Sequence, residues 1–222
     1  MSKELNLDAG KRAERKLLIT VAEWMEYTLL TTEPTDWATK YADYYKKVNG
    51  VYVAVTGTTV GTSTTAPTFA ANTYYSGVQN REILGTRVED SSIELNADIE
   101  TMTDILGITY TDVNKTEPQQ TLDPSNVIGG SKISAYLYDA VTHNRITDYN
   151  QAFKVYIISG FMGDATNGYE AVRHDGCSII PTSIGGSSYV QMPLEIHFSN
   201  NITSGTVNKL ADDFTFTPDV AV

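Results

Sequence analysis

Much of this chain alternates apolar and polar residues with a period of two, the pattern of a strand with one buried face. "KLLITVAEWMEYTLL", from Lys16, puts Leu17, Ile19 and Val21 on one face. "YVQMPLEIHFS" sends Val190, Met192, Leu194, Ile196 and Phe198 one way, and Gln191, Pro193, Glu195 and His197 the other. Pro193 cannot donate a ladder hydrogen bond, so an edge position or a bulge is expected there. "FKVYIISGF", "EAVRHDGCSIIP" and "ITYTDVNKTEPQQTLDP" carry the same period. So does "RVEDSSIELNADIETMTDILG", residues 87–107. Extended over 92–104, it places Ile93, Leu95, Ala97 and Ile99 on one face and Glu94, Asp98 and Glu100 on the other. Asp104 shares the acidic parity if the strand reaches it.

The period changes in "GGSKISAYLYDAVTHNRI", where Ile133, Leu137, Ala140 and Val141 share a helical face and Ser131 is placed to cap it. A helix over about 131–144 is predicted. One helix among many strands predicts a mainly β fold, an antiparallel β-sandwich or barrel with one flanking α-helix.

Residues 34–76 differ from their surroundings. "YYKKVNGVYVAV" joins two strand-like runs through Asn49-Gly50, the residues of a type I′ hairpin turn. The Gly/Thr/Ser/Pro stretch "TGTTVGTSTTAPT" follows without periodicity and reads as a linker. The segment is expected to be a β-rich surface insertion, because insertions there add only loop entropy. Residues 1–16 form a polar arm ending in "KRAERK", either solvated or docked on a neighbouring subunit. The main domain is then 17–33 with 77–222.

The 222 residues include 14 Tyr against 6 Phe and 2 Trp, a choice that suits half-buried sheets and interfaces. The balance of 16 basic to 27 acidic residues repels phosphate backbones and argues against a nucleic-acid reader. Cys177 is the single cysteine, which leaves no internal disulfide framework or cysteine metal site. The start "MSKELNLDAGKRAERKLL" has no long apolar run, so neither a signal peptide nor a membrane span is expected, and maturation in a cytoplasm is.

The acidic stretch is the first candidate for chemistry. A calcium loop needs closely spaced acids around a turn glycine, and no such pattern occurs. A general acid/base pair needs carboxylates facing across a pocket with one desolvated, which neighbours on one strand face do not supply. One wetted strand face is therefore the favoured reading, ahead of metal binding and catalysis. Residues 87–123 still hold nine acids against Arg87 and Lys115, so seven of the eleven net negative charges lie there. A channel wall that must not bind DNA gains from such a concentration. His174 and Cys177 in "RHDGC" are too close in sequence for a usual nucleophile and base; Asp175-Gly176 is expected to turn, with Cys177 buried at a strand start. His143 suits a helix C-terminus. "NVIGGSK" lacks the first glycine of a phosphate loop.

Taken in order, "KELNLDAGKRAERKLLI", "RVEDSSIELNADIETMTDILGITYT", "EPQQTLDP", "VYIISGF" and "CSIIPTSIGG…VQMPLEIHFSNNITSGTV" resemble the major tail tube proteins of long-tailed bacteriophages. The likeness is greatest to phages and prophages of Gram-positive gut bacteria, and it covers nearly everything outside residues 34–76. It implies a β-sandwich with one flanking helix, related to the type VI secretion tube protein. It further implies six-membered rings stacked into a tube, with termini and a long loop tying rings together. Genomic DNA would pass through the lumen without specific binding. Expected partners are further copies of the chain, a tape-measure protein, a tail terminator and a distal tail or baseplate protein. Expected location is the virion tail, with no membrane, cofactor, metal or catalysis. Glu94, Asp98, Glu100 and Asp104 are then candidates for the lumen or for the ring-stacking loop. The alternative is a virion-surface or secreted carbohydrate- or receptor-binding sandwich, favoured by the Tyr-rich insertion.

Overall fold

In the computed structural model, residues 7, 11–85, 88, 91–103, 105–123 and 125–219 are described. The period-two segments become strands. In chain order the elements are β1 (Leu18–Leu29), α1 (Trp37–Lys40), β2 (Tyr44–Val48), β3 (Val51–Ala54), β4 (Thr58–Val60), β5 (Ser63–Thr65) and β6 (Tyr74–Leu84). Next come β7 (Ile93–Glu94), β8 (Ala97–Thr103), β9 (Thr109–Thr116), β10 (Gln119–Leu122) and α2 (Lys132–Thr142). The chain ends with β11 (Phe153–Asp164), β12 (Gly168–Pro181), β13 (Leu194–His197), β14 (Ile202–Val207) and β15 (Phe216–Pro218). The protein is mainly β with antiparallel pairing. It divides into two compact units, Met1–Trp24 with Arg81–Val222, and Met25–Asn80.

In the larger unit β1 pairs with β11, and β11 with β12. β12 then forks. Residues 169–174 pair with β14, which carries β15, while residues 178–181 pair with β13, followed by β10 and β7. The fork falls at Asp175-Gly176. The tight turn expected there is instead a bulge inside one 14-residue strand. Gly176 sits at φ +85, which a residue with a Cβ enters only under strain, and the bulge re-aims the strand between its two sets of partners. A Cβ at Gly176 would meet nothing within 4 Å. Gly176→Ala is therefore expected to lose about 1–2 kcal/mol from backbone strain alone, seen as a lower urea midpoint at unchanged slope.

The central strands are buried on both faces. Ala22, Trp24, Phe153, Val155 and Cys177 pack with Ile133 and Leu137 of α2 in one cluster. Val21, Tyr156, Ile158, Val207 and Phe214 form a second. This is why "ITVAEW" is apolar at both parities: successive residues of β1 serve different clusters. Glu23 belongs to that buried run. Its side chain is 4% exposed, and its carboxylate accepts hydrogen bonds from Arg81 Nε at 3.0 Å, Arg81 Nη2 and the Tyr156 hydroxyl. Lys154 Nζ lies 3.4 Å away. Arg81 also donates to the Phe214 carbonyl at 2.7 Å and lies over the Phe214 ring.

Helix α2 forms where its period predicts, with Ile133, Leu137 and Ala140 buried and the Ser131 hydroxyl accepting from the Ser134 N–H at 3.2 Å. A second cap comes from β6. The Glu82 carboxylate accepts from the N–H groups of Lys132 and Ile133 at 2.7 and 3.1 Å and from the Ser131 hydroxyl. A carboxylate at a helix N-terminus meets both orphan donors and the dipole. Glu82→Ala is expected to lose about 1–2 kcal/mol, measured by thermal denaturation.

The alternation around Pro193 holds in part. Met192, Leu194, Ile196 and Phe198 are buried, but Val190 is exposed. The strand starts only after the proline, and β13 lies between β12 and β10 rather than at an edge. Pro193 is thus accommodated outside the ladder, where no N–H is needed.

In the smaller unit, which contains residues 34–76, β2 and β3 form the expected hairpin, with Asn49 and Gly50 at φ +50 and +86. The stretch read as a linker holds a second hairpin, β4–β5, whose residues are all exposed. Without a buried face it has no hydrophobic alternation to reveal it. Buried Trp37 packs against the rings of Tyr44, Phe69 and Tyr74, and its indole N–H donates to the Pro67 carbonyl at 2.8 Å. The rings of Tyr27, Tyr45, Tyr52 and Tyr75 form a separate cluster, with Tyr27 and Tyr52 stacked 3.8 Å apart.

Candidate assembly surface

The acidic stretch does not form one strand. Ile93 and Glu94 pair with β10 in the sheet. The chain then breaks at Leu95-Asn96, with Asn96 at φ +44 and its side-chain amide donating to the Glu117 carbonyl at 3.2 Å. Beyond the break, β8 and β9 pair with each other in a separate two-stranded sheet. Among the described residues neither strand contacts another element extensively. Glu94 is therefore parted from Asp98 and Glu100, while Asp104 lies outside the described residues.

Every residue of β8 and β9 is exposed. The expectation of an apolar face buried behind a wetted acidic one holds at Ile93, which packs against a core cluster, and fails beyond it, where Ile99 is 57% exposed and Leu95 62%. Register sorts the hairpin's two faces. Ile99 lies opposite Val113, with Ala97–Thr116, Thr101–Thr111 and Thr103–Thr109 on the same side. The other side carries Asp98 opposite Lys115, Glu100 opposite Asp112, and Met102 opposite Tyr110. One face is thus uncharged and rich in β-branched residues. The other is acidic near the stem and apolar towards the tip. The tip itself presents Ile105 at 102% exposure, Leu106 at 79%, and Ile108. Lys115 pairs with Glu117 at 2.7 Å, and that hydrogen bond and charge hold the Glu117 carboxyl below its usual range. At about 3.3 Å per residue, the eight residues of β9 reach roughly 25 Å from the stem.

The tip residues are the ones sequence reasoning missed. "DILGI" was legible as apolar, and a turn at Gly107 (φ +76) could have been read from its glycine. Alternation cannot distinguish a strand with a buried face from a hairpin whose apolar face is exposed.

The other residues considered for chemistry lie in the core. Cys177 is fully buried, and burial pushes its thiol pKa up, away from thiolate reactivity. His174 is buried, with Nδ1 2.8 Å from the Ser199 carbonyl and its ring against Phe198. His143 lies at the end of α2 beside Asp139, at 3.0 Å. Among the described residues no group of three or more His, Cys, Asp or Glu is placed to hold a metal ion, and no helix is long and apolar enough to cross a membrane. Comparisons of the chain with protein-family models, with curated proteins and with solved structures find no match.

Proposed function

We propose that this chain is a structural subunit of a bacteriophage tail tube, assembling as stacked rings around a lumen through which the genome is ejected. The observation that carries this reading is the β8–β9 hairpin. An isolated two-stranded hairpin is marginal in water, and monomeric proteins rarely display contiguous apolar surface. A subunit whose hairpin is covered on assembly resolves both difficulties. The open edges of β8 and β9 would likewise invite uncontrolled pairing in a free monomer. The resemblance of the segments flanking residues 34–76 to tail tube proteins supports the same reading, as does a mainly β fold with α2 packed on one core cluster. Within it, Asp98 and Glu100 belong to an inter-ring arm, and Glu94, on the sheet, is the better candidate for the lumen wall. The tape-measure protein, tail terminator and distal tail proteins are the partners this role calls for, and the virion tail its location; it involves no catalysis.

Electron microscopy of the purified full chain at high concentration tests the reading, with hollow tubes or rings expected. Compact closed oligomers without a lumen would overturn it. A second reading, a glycan- or receptor-binding module on the virion, is favoured by the tyrosine cluster of the smaller unit. Deleting residues 34–76 separates the two: loss of binding to host cells with tubes intact assigns that unit to adhesion.

A further inference from the structure

We propose that one face of the smaller unit's sheet, built from Tyr27, Tyr45, Tyr52, Tyr75 and Lys47, is a glycan-binding platform. The inference rests on the second reading above and names the residues and the ligand class for it. Register sorts the two faces of that sheet. Tyr45 lies opposite Tyr75 and Lys47 opposite Tyr52, so these four share one face. Tyr44 and Tyr74 are on the other, where they pack on Trp37, which is 2% exposed. That other face is the unit's own core, and the Tyr44 hydroxyl is satisfied by donating to Asp36 at 2.5 Å.

The first face is built differently. Tyr27 and Tyr52 stack at 3.8 Å, and Tyr45 and Tyr75 meet that pair at 75° and 83°. The Tyr45 ring lies across Gly77, where a Cβ would come within 2.6 Å of it. All four rings stay half-buried, and among the described residues none of their hydroxyls has a hydrogen-bond partner. Burial and its neighbours Tyr45 and Tyr52 raise the Tyr27 pKa, so its hydroxyl stays a neutral donor. The Lys47 ammonium lies 4.9 Å from the centre of the Tyr52 ring and, among the described residues, pairs with no carboxylate. Aromatic faces attract the C–H groups of a pyranose ring, because the faces carry the negative end of the quadrupole. Unpaired tyrosine hydroxyls then meet the hydroxyls at the sugar's rim, and two-torsion side chains lose little entropy on doing so.

Charge selects among ligands that stack. Residues 25–80 carry Lys40, Lys46 and Lys47 against Glu26, Glu33, Asp36 and Asp43, so only one of the eleven net negative charges falls there. A neutral or carboxylated sugar is not repelled from such a surface. A phosphate backbone needs more cations than Lys47 alone, and a cationic ligand would face that ammonium.

Binding of the full purified chain to an array of hexose and N-acetylhexosamine oligosaccharides tests the site, followed by titration of the one captured best. Tyr52→Ala is expected to weaken that binding at least about tenfold. Tyr27→Phe combined with Tyr45→Phe and Tyr52→Phe keeps every ring and removes three hydroxyls, with a loss of at least about threefold expected. Tyr189→Ala, at a tyrosine 77% exposed outside this unit, is expected to leave binding unchanged. A chain that captures no oligosaccharide overturns the platform, as does binding that survives the triple Phe variant or is lost with Tyr189→Ala. Host-cell attachment that needs residues 34–76 but survives periodate oxidation of the cells points to a protein receptor: it overturns the sugar and keeps the second reading. Tubes that form without sugar capture leave the tail-tube reading standing and remove only this site.

Discussion

Replacing Arg81 with Met is expected to lower the stability of the larger unit by about 3–5 kcal/mol, the cost of leaving a buried charge without its partner. Burial alone would raise the Glu23 carboxyl pKa; the Arg81 hydrogen bonds and charge, with Lys154, more than offset it and hold the pKa below the usual value. Burial and the Glu23 charge push the Tyr156 hydroxyl up to about 12, so it stays a donor to the carboxylate. In the parent, a lowered carboxyl pKa contributes stability that is complete above the unfolded value near about 4.3 and lost as pH falls through the folded one. Without Arg81 the sign reverses. Burial then dominates, with Lys154 at 3.4 Å offsetting part of it, and the folded carboxyl binds its proton more tightly than the unfolded one. The variant therefore loses stability as pH rises from about 4 to 7, and its gap from the parent widens over that interval. Urea denaturation of both proteins at pH 4 and pH 7 measures this. A gap that is constant, or that narrows with rising pH, contradicts the account.

The Arg81–Glu23 pair also shows where legibility in the sequence ends. The helix, the Asn49-Gly50 turn and most strand positions follow from local period and turn chemistry, and the structure places them within a few residues of where the pattern does. Partnerships across 58 residues, such as Arg81 with Glu23, leave no local trace. Nor does Glu82 capping α2 from 50 residues away. Glu23 interrupts an apolar run with a charge, and the second cluster beneath β1 explains its burial. The Gly176 bulge differs from the expected turn for a related reason. Asp-Gly marks a positive φ equally well in a turn and in a bulge, and the choice is made by strands that the dipeptide does not contact.

The candidate site was legible as composition and not as shape. The nine acids of residues 87–123 were visible, and so was the alternation of Ile93, Leu95, Ala97 and Ile99 with carboxylates. Alternation was taken to mean a face against the core, because in most sheets it does. Here the chain leaves the sheet at Asn96 and returns at Glu117, so Ile93 packs against a core cluster while Leu95, Ala97 and Ile99 stay exposed.

Substituting Asp for both Ile105 and Leu106 is expected to abolish assembly of the chain while leaving its stability within about 0.5 kcal/mol of the parent. The two halves of the prediction have separate causes. Both side chains are almost wholly exposed and belong to neither core cluster, so folding gains little from them. Burying each at a contact would remove about 1.5–3 kcal/mol worth of apolar surface from water. Placing two carboxylates there instead adds a desolvation cost to any contact that buries them. Assembly multiplies the effect, since every subunit contributes an arm and every added copy repeats the loss. Sedimentation of the variant beside the parent, with thermal denaturation of both, reads the two halves together. A variant that assembles normally removes the tip from any contact between copies. A variant that unfolds shows instead that Ile105 and Leu106 serve the chain's own fold, and the hairpin would lose its standing as the surface that carries the proposed function.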